Sequence, residues 1–206
     1  MAETRQGMRW TVLVAFATVL LPAPHHAAAH ERRVVLASAD FQAKPAAGTV
    51  VAKGAEQYAK GKAADDKGDY SDAMRWYRQA AGAGNTDAMN RLGVMHDNGQ
   101  GVAEDPVQAV AWFRKAADAG DPAGMNNLAS MYGHGRGVPK DEAEAVGWYR
   151  KAADAGDEWG MIHLGAMYEN GRGVPKDLEQ AVAWYRKAAA AGSETARAIL
   201  ERLGRK

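Results

Sequence analysis

The chain has four serines, Ser38, Ser71, Ser130 and Ser193, and none has a lysine three residues later. The Ser-x-x-Lys arrangement that activates serine in the classical β-lactamases is therefore missing. There is no cysteine, which removes thiolate nucleophiles, disulfide frameworks, zinc ribbons and iron–sulfur clusters. Three Gly-x-Gly pairs stand out: Gly99/Gly101, Gly135/Gly137 and Gly171/Gly173. A phosphate loop leads into a helix and carries a lysine followed by serine or threonine. These pairs lack that signature and follow helical patterns, so they read as turns between helices.

The chain has six histidines. His25 and His26 fall in an N-terminal leader. His30 would open the processed chain, where amine and imidazole could chelate copper, but no second histidine lies nearby in sequence. His96 stands where later units carry Tyr132 and Tyr168 and reads as packed or half-exposed. His134 lies in a glycine-rich turn and reads as a solvated loop residue. No metal and no cofactor are expected. Six of the nine methionines (Met89, Met125, Met161, Met95, Met131, Met167) recur at fixed positions, which core packing explains better than a metal-binding surface. The 26 basic and 25 acidic residues give a net charge of +1, which argues against nucleic-acid binding through bulk positive charge.

The elements that position these residues follow from internal repetition. Trp76, Trp112, Trp148 and Trp184 are each 36 residues apart, as are Ala73, Ala109, Ala145 and Ala181. Gly84, Gly120, Gly156 and Gly192 close the units. Full repeats run 85–120, 121–156 and 157–192. Each encodes two helices, A and B. Helix A begins near Asn85, Asp121 or Asp157, with Asp121-Pro122 as N-cap and first helical residue. Met125, Leu128, Ala129, Met131 and Tyr132 then form one stripe. Helix B opens with Asp105/Gln108, Asp141/Glu144 or Asp177/Gln180, a capping-box pattern with Asp as the cap. Ala109, Trp112, Phe113, Ala116 and Ala117 give it a wide apolar face. Small residues at the crossing (Gly93, Ala129, Gly165) let helix A approach its partner. Neither helix buries its face alone, so stacking is required. The predicted fold is all-α, an α/α superhelical solenoid of antiparallel helix pairs.

The ends depart from the period. Residues 54–84 form a degenerate first pair without the Gly-x-Gly-Val connection. Residues 193–206 add one more A-type helix, apolar through Ala196, Ile199, Leu200 and Leu203 and charged on its other side, which suits a capping helix. Nine helices are predicted. Residues 30–53 read as a flexible linker. Residues 1–29 read as a secretory signal peptide: Arg5 and Arg9, a short apolar run from Trp10 to Leu21, then Ala27-Ala28-Ala29 for cleavage. That run is too short to span a bilayer. The expected location is the periplasm or the outside of a bacterial cell.

The repeats resemble Sel-one-like repeats, relatives of the tetratricopeptide repeat, in their Gly-x-Gly-Val turn and Trp-Tyr-Arg-Lys-Ala-Ala run. The resemblance covers 85–192 in full and 54–206 in part. It implies superhelices that act as adaptors for protein assembly, often exported in bacteria. Gly124 and Gly160 depart from the alanine usual there (Ala88 here), and each should cost about 1 kcal/mol in helix propensity. A cysteine-rich branch of the family has been linked to penicillin binding and β-lactamase activity; this chain lacks its cysteines.

The non-repeating positions of helix A are the informative ones, because related solenoids line their concave side with this helix. They nominate Asn90, Arg91, Asn126, Asn127, Trp159, Ile162 and His163 as partner-binding residues. Asparagine can bond a peptide backbone as donor and acceptor. The expected protein is a monomeric, non-enzymatic scaffold that binds another protein or peptide. The alternative is a cell-envelope hydrolase, or a binder of β-lactam, peptidoglycan or glycan.

Overall fold

A computed structural model describes residues 47–204 of the chain. The leader, His30 and most of the linker stretch lie outside the described residues. Nine α-helices and no strands are present among them: α1 (Ala47–Asp65), α2 (Tyr70–Gly82), α3 (Thr86–Asn98), α4 (Pro106–Asp118), α5 (Pro122–His134), α6 (Glu142–Asp154), α7 (Glu158–Asn170), α8 (Leu178–Ala190) and α9 (Glu194–Arg202). Helices α3, α5 and α7 are the A helices of the three full repeats, and α4, α6 and α8 their B partners. Each helix packs on its successor, and α3, α5 and α7 also touch in turn. The A helices therefore form a continuous inner row.

The first helix starts at Ala47, inside the stretch read as linker. Its buried stripe facing α2 consists of Gly54, Gln57 and Gly61. These residues carry helical spacing but no hydrophobic signal, so periodicity could not find them. A Cβ at Gly61 would lie 2.7 Å from the Tyr77 ring, so the small residue sets how close the two helices come.

Asp caps start the B helices as predicted, but only half of each capping box forms. Asp105, Asp141 and Asp177 accept from the backbone N–H of Gln108, Glu144 and Gln180 at 2.9–3.0 Å. Their own N–H groups donate to the carbonyls of His96, Tyr132 and Tyr168 at 2.8–2.9 Å. That tie between helices leaves nothing for the Glu or Gln side chain to satisfy. Glu144 instead accepts from the Trp148 indole at 2.8 Å.

The second glycine of each turn answers to packing. A Cβ at Gly137 would lie 2.2 Å from the Pro106 carbonyl oxygen, because this turn presses on the start of the preceding B helix. Gly124 and Gly160 are likewise sites of close approach. A Cβ at Gly160 would stand 2.7 Å from Ala152 Cβ and 2.9 Å from Ala153 N, so propensity alone misjudges them.

The core runs along the helix pairs. Leu92, Leu128 and Leu164 are fully buried, with Phe113, Tyr149 and Tyr185 packed from the B helices. Trp148 and Trp184 are buried, whereas Trp76 and Trp112 are only partly covered. Lysines lie over the rings of Trp112, Trp148 and Trp184 at 3.7–4.1 Å from ring centre. This combines cation–π attraction with coverage by the lysine stem. At the far end, α9 buries Ala196 and Leu200, and Arg202 reaches back to Glu169 at 2.9 Å. No described helix is long and apolar enough to cross a membrane.

Candidate functional site

The inner row places the nominated residues unequally. The residues at positions 90, 126 and 162 are equivalent by the repeat, and they face the contact between neighbouring A helices. Asn90 Oδ1 accepts from Asn127 Nδ2 at 2.8 Å, a bridge from α3 to α5. Asn126 is half-buried, and its carbonyl oxygen is enclosed without a partner among the described residues. Ile162 is buried and belongs to the core. Arg91 is committed elsewhere: it pairs with Asp65, which also accepts from the Tyr77 hydroxyl at 3.1 Å. The side chains first read as open ligands are thus largely satisfied within the chain.

Trp159 and His163 keep the character expected of a contact surface. Trp159 is 51% exposed, among the most open large apolar side chains described. Its ring centre lies 6.2 Å from that of His163, which in turn lies 5.1 Å from Tyr149. The three rings run from solvent to interior. Burial holds the His163 imidazole below its ordinary pKa, and nearby His134 acts in the same direction. At neutral pH the ring is therefore uncharged, a donor at one nitrogen and an acceptor at the other.

Two of these rings, Tyr149 and His163, also line a cavity of about 200 Å³ between α5 and α7. Ser130, Gly133 and His134 line it from α5, Tyr149 from α6, and His163, Ala166, Met167 and Asn170 from α7, with Arg172 at its edge. His134 is not a loop residue but the last residue of α5, and its Nδ1 lies 2.9 Å from the Ser130 carbonyl oxygen. Burial raises the pKa of the Tyr149 hydroxyl, while the Ser130 hydroxyl and the Arg172 guanidinium oppose that rise. Arg172 Nη2 donates to the Gly133 carbonyl at 3.4 Å, and Arg172 Nε donates to Glu142 at 3.0 Å. The lining offers hydroxyls, imidazoles, an amide and a guanidinium, and it includes no carboxylate. Such a set suits recognition of an acceptor-rich group.

Sequence reasoning found His163 and missed the rest of this cavity. A signal was present: the equivalent residues Asp97, Gly133 and Glu169 do not match. No group of three or more His, Cys, Asp or Glu capable of holding a metal occurs among the described residues. His96 is buried, with Nδ1 unpartnered among the described residues.

A family model described as Sel1 repeat matches residues 55–85, 86–121, 122–157 and 160–193, more than half of the chain. Solved structures are similar too. One, a protective antigen of uropathogenic Escherichia coli displaying an SLR fold, is 38% identical over 73% of this chain and 34% of its own, with a TM-score of 0.64. A Sel1 repeat protein from Oxalobacter formigenes is 30% identical over 71% of this chain and 60% of its own, with a TM-score of 0.67. The chain thus spans less than two thirds of either structure. Helicobacter pylori cysteine rich protein B is 26% identical over 64% of this chain and 95% of its own, with a TM-score of 0.53. A comparison with curated proteins finds no match.

Proposed function

The chain belongs to the Sel1 repeat family, and we propose that it is an exported scaffold that binds a protein or peptide partner along its inner row of A helices. Sel1 repeat proteins are generally non-catalytic protein-interaction scaffolds. The observation that carries the finer reading is Trp159. Its equivalents in the preceding repeats are Asp87 and Ala123, so stacking of the repeats demands no indole here. The ring is half-exposed beside the half-buried His163, which lines the cavity between α5 and α7. A large aromatic ring next to a recess is the composition of an interface hot spot. Binding on rigid paired helices costs little ordering on the scaffold side. Export is supported by Arg5 and Arg9, the apolar run from Trp10 to Leu21 and the Ala27–Ala29 motif.

The test is to express the full chain in a bacterial host, measure the intact mass of the envelope form, and use that form to recover its partner. A mass fitting a start at His30 is expected; retained Met1 would refute export. Trp159→Ala should melt like wild type and weaken partner binding by about 2 kcal/mol or more, roughly thirtyfold. A lower melting temperature with unchanged affinity would return Trp159 to a structural role.

A further inference from the structure

The buried ring of each B-type helix reads Tyr77, Phe113, Tyr149, Tyr185 along the array. At both ends its hydroxyl is satisfied in the same way. Tyr77 donates to Asp65 of α1, and Arg91 of α3 pairs with that carboxylate. Tyr185 donates to Glu169 of α7 at 2.8 Å, and Arg202 of α9 pairs with that carboxylate at 2.9 Å. Phe113 has no hydroxyl, yet Asp97 of α3, equivalent to Glu169, is still held by Arg136 at 2.8 Å. Three layers thus place a carboxylate on the inner helix and close an arginine from the next repeat over it.

The layer of Tyr149 breaks the pattern. Gly133 stands where Asp97 and Glu169 stand, and Ala166 stands where Arg202 stands. Both residues line the cavity described above, together with Tyr149. Among the described residues no carboxylate bonds the Tyr149 hydroxyl. Arg172, the equivalent of Arg136, keeps its backbone contact: its Nη2 donates to the Gly133 carbonyl at 3.4 Å, as that of Arg136 does to the Asp97 carbonyl at 3.1 Å. Packing does not impose glycine at 133. A Cβ there would meet only Ala145 Cβ, at 3.6 Å, an ordinary contact. The layer keeps the hydroxyl and the guanidinium, but the guanidinium pairs with Glu142 of α6, and no described carboxylate reaches the hydroxyl.

We propose that this cavity receives a glutamate side chain from a partner peptide, its carboxylate taking the place that Asp65 and Glu169 fill from within the chain. The proposal rests on the reading of the inner row as the partner-binding face and names the chemistry recognised there. Tyr149, Ser130 and His163 supply the donors, with Arg172 at the edge already engaged by Glu142 and the Gly133 carbonyl, and hydrogen bonds to an ionised acceptor are the strong ones. Glu142, paired with Lys140 at 2.9 Å and with Arg172 at 2.9 Å, does not line the cavity. A side chain is the occupant because the filled layers are all filled by side-chain carboxylates on one or two methylenes. Trp159, beside His163, covers the residue next to that glutamate.

The test uses the full chain and three capped amino acids followed by NMR at the His134 and His163 rings. N-acetyl-glutamate α-amide offers only a side-chain carboxylate, N-acetyl-glutamine α-amide has none, and N-acetyl-alanine offers only a chain terminus. The glutamate compound should bind saturably and at least about tenfold more tightly than either of the others. Gly133→Glu supplies the carboxylate internally and should abolish that binding, whereas Gly133→Ala should keep it within about twofold. Both variants should melt no lower than wild type, which excludes unfolding as the cause. Equal binding of the glutamine compound, or binding that survives in Gly133→Glu, would overturn the proposal. Equal or tighter binding of N-acetyl-alanine would overturn the side-chain assignment in favour of a chain terminus. If these arms fail while Trp159→Ala still weakens the recovered partner, the ligand assignment falls and the inner-row reading stands.

Discussion

Replacing Gly165 with alanine sets helix propensity against packing, and the structure says which wins. In an exposed helix interior, Gly→Ala stabilises by about 1 kcal/mol. Gly147 in α6 is the reference, because a Cβ there meets nothing within 4 Å. Gly147→Ala should therefore gain about 1 kcal/mol, or about 2–4 °C in melting temperature for a domain of this size. At Gly165 the added Cβ would lie 2.6 Å from Tyr185 Cε1 and 2.9 Å from Cδ1. Carbon contacts settle near ~3.5–4.0 Å, so the ring must retreat by about 1 Å. Tyr185 is 1% exposed, and its hydroxyl is tied to Glu169, which also holds Arg202. Overpacking a dense core costs about 1–3 kcal/mol, and loss of the tyrosine bond adds about 1. Subtracting the propensity gain leaves a net loss of about 1–3 kcal/mol. Ala129, the equivalent of Gly165, does carry a Cβ, and it belongs to the layer of Tyr149, whose hydroxyl no described carboxylate holds. The measurement is thermal and urea unfolding of both variants by circular dichroism. If Gly165→Ala melts at or above wild type, the ring is not held as argued and the close crossing is not set by residue size.

Two further outcomes follow from burial. Trp148→Ala should destabilise by about 3–5 kcal/mol, because the ring is 8% exposed, while Trp112→Ala should cost clearly less; equal losses in urea unfolding would contradict this. His96 and His163 are both held below the ordinary histidine pKa, chiefly by burial, with Arg78 adding to the effect at His96 against the opposing Asp105. As pH falls through about 6.5, the unfolded chain takes up protons first, so stability should fall on acidification and rise again towards neutrality. His96→Tyr restores the residue of the later repeats and gives Arg78 the hydroxyl partner that Arg114 finds in Tyr132. It should stabilise by about 1 kcal/mol and flatten the pH dependence, and an unchanged slope in unfolding from about pH 7 to 5.5 would count against it.

The repeat, the helix pairs, the Asp caps and the turns are all legible in the order of the amino acids. Each depends on residues close in the chain and recurs at one period, so every copy reports the same local physics. Trp159 was legible for the complementary reason, as a large residue that breaks a regular column. The start of α1 was not legible, because Gly54, Gln57 and Gly61 bury a face without hydrophobic contrast. Which inner-row side chains are free depends on contacts between residues far apart in the chain. Arg91 meets Asp65 across 26 residues, and Asn127 meets Asn90 across 37. Ile162 is buried in the core, whereas Asn126 at the equivalent position is only half-buried. The cavity needed both levels. Gly133 is an ordinary helix residue in the sequence. It becomes a missing carboxylate only when stacking sets it beside Tyr149 and Ala166, in register with layers where Asp65 and Glu169 are held by arginine. Side-chain pairing between repeats is set by the stagger of the helices in space, and local sequence spacing does not encode that stagger.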